Sequence, residues 1–258
     1  MPAPRNRTLF LAAADRARTV PELPALPEPG HVYCGDAVRG LRASPPADLV
    51  LADPPYDEKP AWHEAWIDAA AENLRPGGSI YVCCDWRLSG AIQSLLERRF
   101  TVRNRITWRR DKGRGAKRNW KQNMEDVWFA TKGEGYTFNL VKWKKPVVAP
   151  YRVNGKPKDW VEEGGERYRM THPSNIWTDL CVPFWSMSEN TPHPNQKPEK
   201  LVDRILRAST NPGDLVIDPF LGSGTTAVVA RRLGRRFLGF EIRPDHVRLA
   251  LKRLEERP

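Results

Sequence analysis

Short apolar runs that each end in an acid and lead into a helical pattern confine this chain to an α/β fold on a parallel sheet. Asp48–Ala52 runs into Asp53, Leu215–Ile217 into Asp218, and Phe237–Phe240 into Glu241. Runs this short and this continuously apolar suit strands covered on both faces. His31–Cys34 and Ser79–Cys84 read as further strands, with two more near Thr101–Trp108 and Glu125–Thr131. Between them, Trp62–Leu74 has helical spacing and is stopped by Arg75-Pro76-Gly77-Gly78, and Arg87–Arg98 is a second helix. Strands alternating with helices imply right-handed crossovers and helices on both faces of the sheet.

The rhythm lapses twice. Residues 1–30 are Pro-rich (Pro2, Pro4, Pro21, Pro24, Pro27, Pro29) around a short helical stretch near Thr8–Arg18, and read as an arm. Residues 136–195 carry many Pro, Gly, Trp and Lys residues and no long apolar run, the pattern of an inserted, substrate-facing lobe in which Trp143, Trp160, Trp177 and Trp185 help read the target. The rhythm resumes with a helix over Glu199–Ser209, another through Ala227–Leu233 and a last one over Asp245–Glu256. The expected organisation is therefore an arm over 1–30, one half of a core over 31–135, a lobe over 136–195 and the other half over 196–258.

Charge narrows the partner. The 258 residues carry a net +11, and the 24 residues from Arg98 to Lys121 account for +10 of it, with eleven Lys or Arg against Asp111 alone. Arg109, Arg110, Lys112, Arg114, Lys117, Arg118 and Lys121, interrupted by Gly113 and Gly115 and flanked by Trp108 and Trp120, form a basic segment over 109–121. One-signed charge beside aromatic rings suits a loop that tracks a phosphate backbone, because neutralising phosphates releases their counterions.

Cys34, Cys83, Cys84 and Cys181 make no C-x-x-C pair and no metal-ligand spacing, so no metal site is expected. His172 and His193, without ligand partners, read as polar surface residues. The apolar run Leu9–Ala14 is too short for a signal peptide or a membrane span, which makes a cytoplasmic protein without a membrane partner the expectation.

Two motifs carry chemistry. Asp53-Pro54-Pro55-Tyr56 follows a buried strand, where open parallel sheets gather their ligands. An exocyclic amine on a base is a poor nucleophile, because its lone pair is delocalised into the ring. Asp53 can accept one of its hydrogens and the carbonyl of Pro54 the other, while two prolines fix the direction of that carbonyl. Tyr56 offers a face on which a base swung out of the duplex can stack. Asp218-Pro219-Phe220-Leu221-Gly222-Ser223-Gly224-Thr225-Thr226 is again a strand, a glycine turn and a helix. It matches neither dinucleotide nor triphosphate fingerprints, which favours an adenosyl ligand without a phosphate linkage. Glu241 ends the next strand, where an acid accepts ribose hydroxyls in dinucleotide-binding folds.

Together these motifs resemble the β-type amino-group DNA methyltransferases, in which the catalytic tetrapeptide precedes the cofactor turn. The resemblance runs from His31 to Arg253 and implies a Rossmann-like S-adenosylmethionine-dependent methyltransferase sheet with circularly permuted motif order and an inserted target-recognition lobe over 136–195. It implies that Asp53, Pro54, Pro55 and Tyr56 are catalytic. In the cofactor site it implies Asp36 at the adenine, Lys197 of His193-Pro194-Asn195-Gln196-Lys197-Pro198 at the carboxylate, and Phe220 and Thr225 at the methionine end, with Asp218, Gly222, Ser223, Gly224, Thr226 and Glu241 completing it. Members acting on cytosine more often carry Ser at the position of Asp53, so the resemblance favours adenine N6 over cytosine N4. A silent DNA-binding homologue and an RNA methyltransferase are the readings from other classes. The expected partner is double-stranded DNA, with a homodimer and a cognate restriction endonuclease left open as companions.

Overall fold

The computed structural model describes residues 6–114, 117, 118 and 120–256; Pro2 and Pro4 of the arm and Gly115 of the basic segment lie outside them. In chain order the elements are α1 (Ala13–Ala17), β1 (His31–Cys34), α2 (Ala37–Ala43), β2 (Ala47–Ala52), α3 (Pro60–Asn73), β3 (Leu74–Cys84), α4 (Trp86–Glu97), β4 (Thr101–Arg114) and β5 (Gln122–Thr131). The lobe adds β6 (Trp143–Pro146), β7 (Arg152–Val153), β8 (Lys156–Pro157), β9 (Val161–Glu163), β10 (Glu166–Thr171) and β11 (Ile176–Trp177). The chain closes with α5 (Glu199–Ser209), β12 (Leu215–Asp218), α6 (Thr225–Arg232), β13 (Arg236–Glu241) and α7 (Pro244–Glu256).

Among the described residues one eight-stranded sheet runs in the order β1-β13-β12-β2-β3-β5-β4-β11. Only β5 opposes its neighbours. Alternate residues of β2 show why its run is apolar throughout. Val50 and Ala52 pack against Trp66 and Ile67 of α3 and Leu88 and Ile92 of α4. Leu49 and Leu51 face the other way, toward Leu201 and Ile205 of α5 and Val228 of α6. Both faces of the sheet are covered, as a parallel sheet requires.

Two expectations change. The helix α3 ends at Asn73, just before Arg75-Pro76-Gly77-Gly78, but that segment lies within β3, which begins at Leu74 and not at Ser79. Gly77 takes φ +77° there, and backbone bonds from Gly77 to Lys132 and from Lys132 to Gly78 tie the stretch to the end of β5. The basic segment is not a free loop: β4 and β5 run on as a paired hairpin, with Arg109 opposite Met124 and Arg114 opposite Gln122. The two core halves share this one sheet, since β13 and β12 sit between β1 and β2.

The arm is a strap. The Leu23 amide donates to the Cys34 carbonyl and the Cys34 amide to that of Pro21, and Asp15 of α1 pairs with Lys252 of α7 at 2.8 Å. The lobe builds a three-stranded antiparallel sheet, β6-β10-β9, and a small β7-β8 pair, and then returns to the main sheet through β11. Its tryptophans do not share one surface. Trp160 and Trp177 are buried and Trp143 lies 3.9 Å from the Arg204 guanidinium, which leaves Trp185 as the exposed one of the four. No helix among the described residues is long and apolar enough to cross a membrane.

Candidate active site

Four carboxylates stand at the carboxyl ends of four adjacent parallel strands: Asp36 just past β1, Glu241 ending β13, Asp218 ending β12 and Asp53 just past β2. They line one cavity of about 610 Å³. Strands β12 and β2 are direct neighbours, with Val216 beside Leu49 and Ile217 beside Val50. The acidic tetrapeptide and the glycine turn, distant in sequence, therefore open into the same space. Pro54, Pro55, Tyr56, Lys197, Phe220, Gly222, Ser223, Thr225 and Thr226 line that space as well.

The turn is held by its own acids. Asp218 accepts from the Phe220 amide at 3.0 Å and from the Thr226 hydroxyl at 2.6 Å. Burial pushes its carboxyl up to about 7, against the pull of those two bonds. Glu241 accepts from the amide of Gly222 at 3.0 Å and from that of Arg243 at 2.9 Å. Burial opposes its charge, yet His246 and these amides hold it below the usual carboxylate range. The Glu241 oxygen that accepts from Gly222 keeps a second lone pair for a ligand hydroxyl. Gly222 has φ +54°, and a Cβ there would meet His193 Nε2 at 3.0 Å. Gly224 differs from its neighbours in facing inward: a Cβ would lie 2.7 Å from that of Ala250, so its bareness serves the packing of α6 on α7. Arg253, fully buried, donates to the Ser223 carbonyl at 3.0 Å and the Thr225 hydroxyl at 2.9 Å, and pairs with Glu199 at 3.0 Å.

At the other end Asp53 is held on both oxygens. The Tyr56 hydroxyl donates to Oδ1 at 2.8 Å, and Lys197 Nζ reaches Oδ2 at 2.6 Å. Lys197, expected at a cofactor carboxylate, is thus turned to Asp53, with Glu125 3.4 Å away. Two carboxylates this close in a largely buried setting demand a cation. Burial works against the Lys197 ammonium, and Asp53 and Glu125 more than offset it, so its pKa stands above the ordinary lysine value. Burial, and next the Asp53 carboxylate, raise the Tyr56 phenol well above its usual range, so it stays a donor. The same two causes raise the thiol of Cys83, which lines the cavity from β3. A protonated thiol is no nucleophile.

Sequence reasoning missed Glu125, Arg253 and the setting of His193. Glu125 heads the buried part of β5, where an acid pair, Glu125-Asp126, directly before the apolar run Val127–Ala130 was the available signal. His193 is no surface residue: it lines the cavity and packs against His246 with ring centroids 4.4 Å apart. Of the basic residues, Arg110 is bound to Glu125 in a half-buried ion pair and so is not free for a phosphate. Arg109, Lys117, Arg118 and Lys121 are exposed, while Lys112 and Arg114 lie on β4.

The N6/N4 methyltransferase family model, described as DNA methylase, matches residues 47–252. The chain belongs to this family. This methylase is an S-adenosylmethionine-dependent DNA methyltransferase of the group that acts on adenine N6 or cytosine N4. It is 34% identical over 247 residues to the DNA adenine methyltransferase YhdJ of Escherichia coli K12, covering 86% of this chain and 81% of that one. Over 229 residues it is 31% identical to the type II methyltransferase M1.MboII of Moraxella bovis, covering 78% and 86%. Among solved structures, the M1.HpyAVI–SAM complex matches with a TM-score of 0.65 at 28% identity over 87% of this chain and 98% of that one. The cytosine-N4-specific PvuII DNA methyltransferase matches in fold, with a TM-score of 0.69 at 21% identity over 91% and 90%.

Proposed function

We propose that this methylase transfers the methyl group to N6 of adenine in double-stranded DNA, with the base swung out of the duplex. The observation that carries the reading is the Asp53 carboxylate, which shares a cavity with the glycine turn and is fixed by Tyr56 and Lys197. Each Asp53 oxygen retains a lone pair for an amine hydrogen. The name of the 34%-identical relative as an adenine methyltransferase supports the base.

The cavity's chemistry fits S-adenosylmethionine. Close backbone approach at Gly222, acids at Asp36 and Glu241 for adenosyl polar groups, and Phe220 on the wall suit a cationic ligand without phosphates. That ligand, when bound, supplies a methyl group already activated on a sulfonium. The protein's work is alignment. Asp53 and the Pro54 carbonyl accept the two amine hydrogens while the nitrogen turns from planar to tetrahedral, so its lone pair faces the methyl carbon. The N–C bond would form as the methyl–sulfur bond breaks, the donor leaving as a neutral thioether that keeps the bond's electron pair, and one amine proton would pass to Asp53. Arg109, Lys117, Arg118 and Lys121 on the hairpin meet backbone phosphates, and the lobe over 136–195 reads the target.

Digestion to nucleosides of DNA treated with enzyme and methyl-labelled cofactor tests the base. Label in N6-methyldeoxyadenosine is the expected result; label in N4-methyldeoxycytidine would contradict it.

A further inference from the structure

Glu125 is a buried carboxylate that the transfer described above leaves unused. It stands on β5 opposite Trp108 of β4 and is 5% exposed. One of its oxygens takes the Arg110 guanidinium. The other lies 3.4 Å from the Tyr56 hydroxyl and 3.4 Å from Lys197 Nζ. Those same two groups hold the two oxygens of Asp53. Asp53, Tyr56, Glu125 and Lys197 therefore close a ring of polar contacts, and Arg110 ties that ring to the basic hairpin.

We propose that Glu125 is a positioning residue for methyl transfer: it anchors Tyr56 and Lys197, which set the Asp53 carboxylate, and links that setting through Arg110 to the hairpin that meets DNA. The charges are balanced, two carboxylates against one ammonium and one guanidinium. Removing Glu125 leaves Arg110 half-buried without its carboxylate and frees Lys197 to follow Asp53 alone. A misplacement of about 1 Å at a reacting group costs on the order of 10²-fold in rate, so a small loss of order at Asp53 is kinetically visible. The inference rests on the role proposed for Asp53.

Steady-state kinetics of the full chain across pH, on wild type, Glu125→Gln and Glu125→Asp, test it. Lys197 is faced by Asp53 and Tyr56 from the end of β2, Cys83 from β3, Glu125 from β5 with Arg110 behind it, and His193 from its own segment. Glu125→Gln removes one of the two carboxylates that keep Lys197 charged. Its kcat is expected to fall about 10- to 100-fold, with KM for S-adenosylmethionine within about twofold of wild type and the alkaline limb of kcat moved to lower pH. Glu125→Asp keeps the charge, so its alkaline limb stays in place while kcat falls less. If Glu125→Gln does not fold, Glu125→Asp decides: reduced kcat at unchanged KM supports the role, and wild-type kcat overturns it. Folded Glu125→Gln with the kcat and pH profile of an active wild type overturns the positioning role alone. Wild type that transfers no methyl group takes the proposed function down with it.

Discussion

Burial beside the glycine turn, then the neighbouring His246, pull His193 down to about 4, so its imidazole is neutral at pH 7. A histidine with a depressed pKa binds its proton more tightly when unfolded. Stability is therefore intact above the unfolded value near 6.5 and drains as pH falls from there toward 4, by roughly 3 kcal/mol in all. Denaturation of wild type and His193→Gln at pH 7.5 and pH 4 should show the wild type losing the larger share of its stability; parallel losses would refute the buried neutral imidazole. Single residues were legible in sequence where an apolar run ended in an acid, as at Asp53, Asp218 and Glu241. The partners of those residues were not. That Lys197 turns to Asp53, and that Glu125 joins them, depends on β5 lying next to β3 and β3 next to β2, a long-range pairing that local pattern does not encode.

The hairpin of β4 and β5 is the element on which DNA affinity depends in this account. Its paired strands carry it out to Arg114 and Gln122, with Lys117, Arg118, Trp120 and Lys121 exposed at its end. Each phosphate deprived of its cationic side chain should reduce the slope of log affinity against log salt by about 0.9. Replacing Lys117, Arg118 and Lys121 together by Ala should therefore weaken binding and flatten that slope by up to about 2.7, with the cofactor titration unaltered; an unchanged slope would remove these residues from the interface. The outer half of this hairpin was opaque in sequence because charged residues carry no period-2 apolar signal, and pairing across the strands, not propensity, extends them. The short strands of the lobe were opaque for the same reason. By contrast α5, with Leu201, Val202, Ile205 and Leu206 buried along one stripe, was readable to its ends.

For the molecule as a whole, the sheet order is what turns two motifs into one site. The glycine turn comes from near the end of the chain, yet β13 and β12 insert between β1 and β2 and bring it beside the tetrapeptide. Motif order made the permutation legible; the insertion itself is a matter of which strand edges were left to pair. The central claim is that donor and acceptor meet in this shared cleft, with Asp53 serving the acceptor and the turn serving the donor. Calorimetric titration of S-adenosylmethionine into Asp53→Ala, paired with single-turnover methylation of DNA by the same protein, tests it most directly. The account predicts wild-type cofactor affinity with transfer slowed by roughly 10²-fold or more; transfer at the wild-type rate by this variant would contradict it.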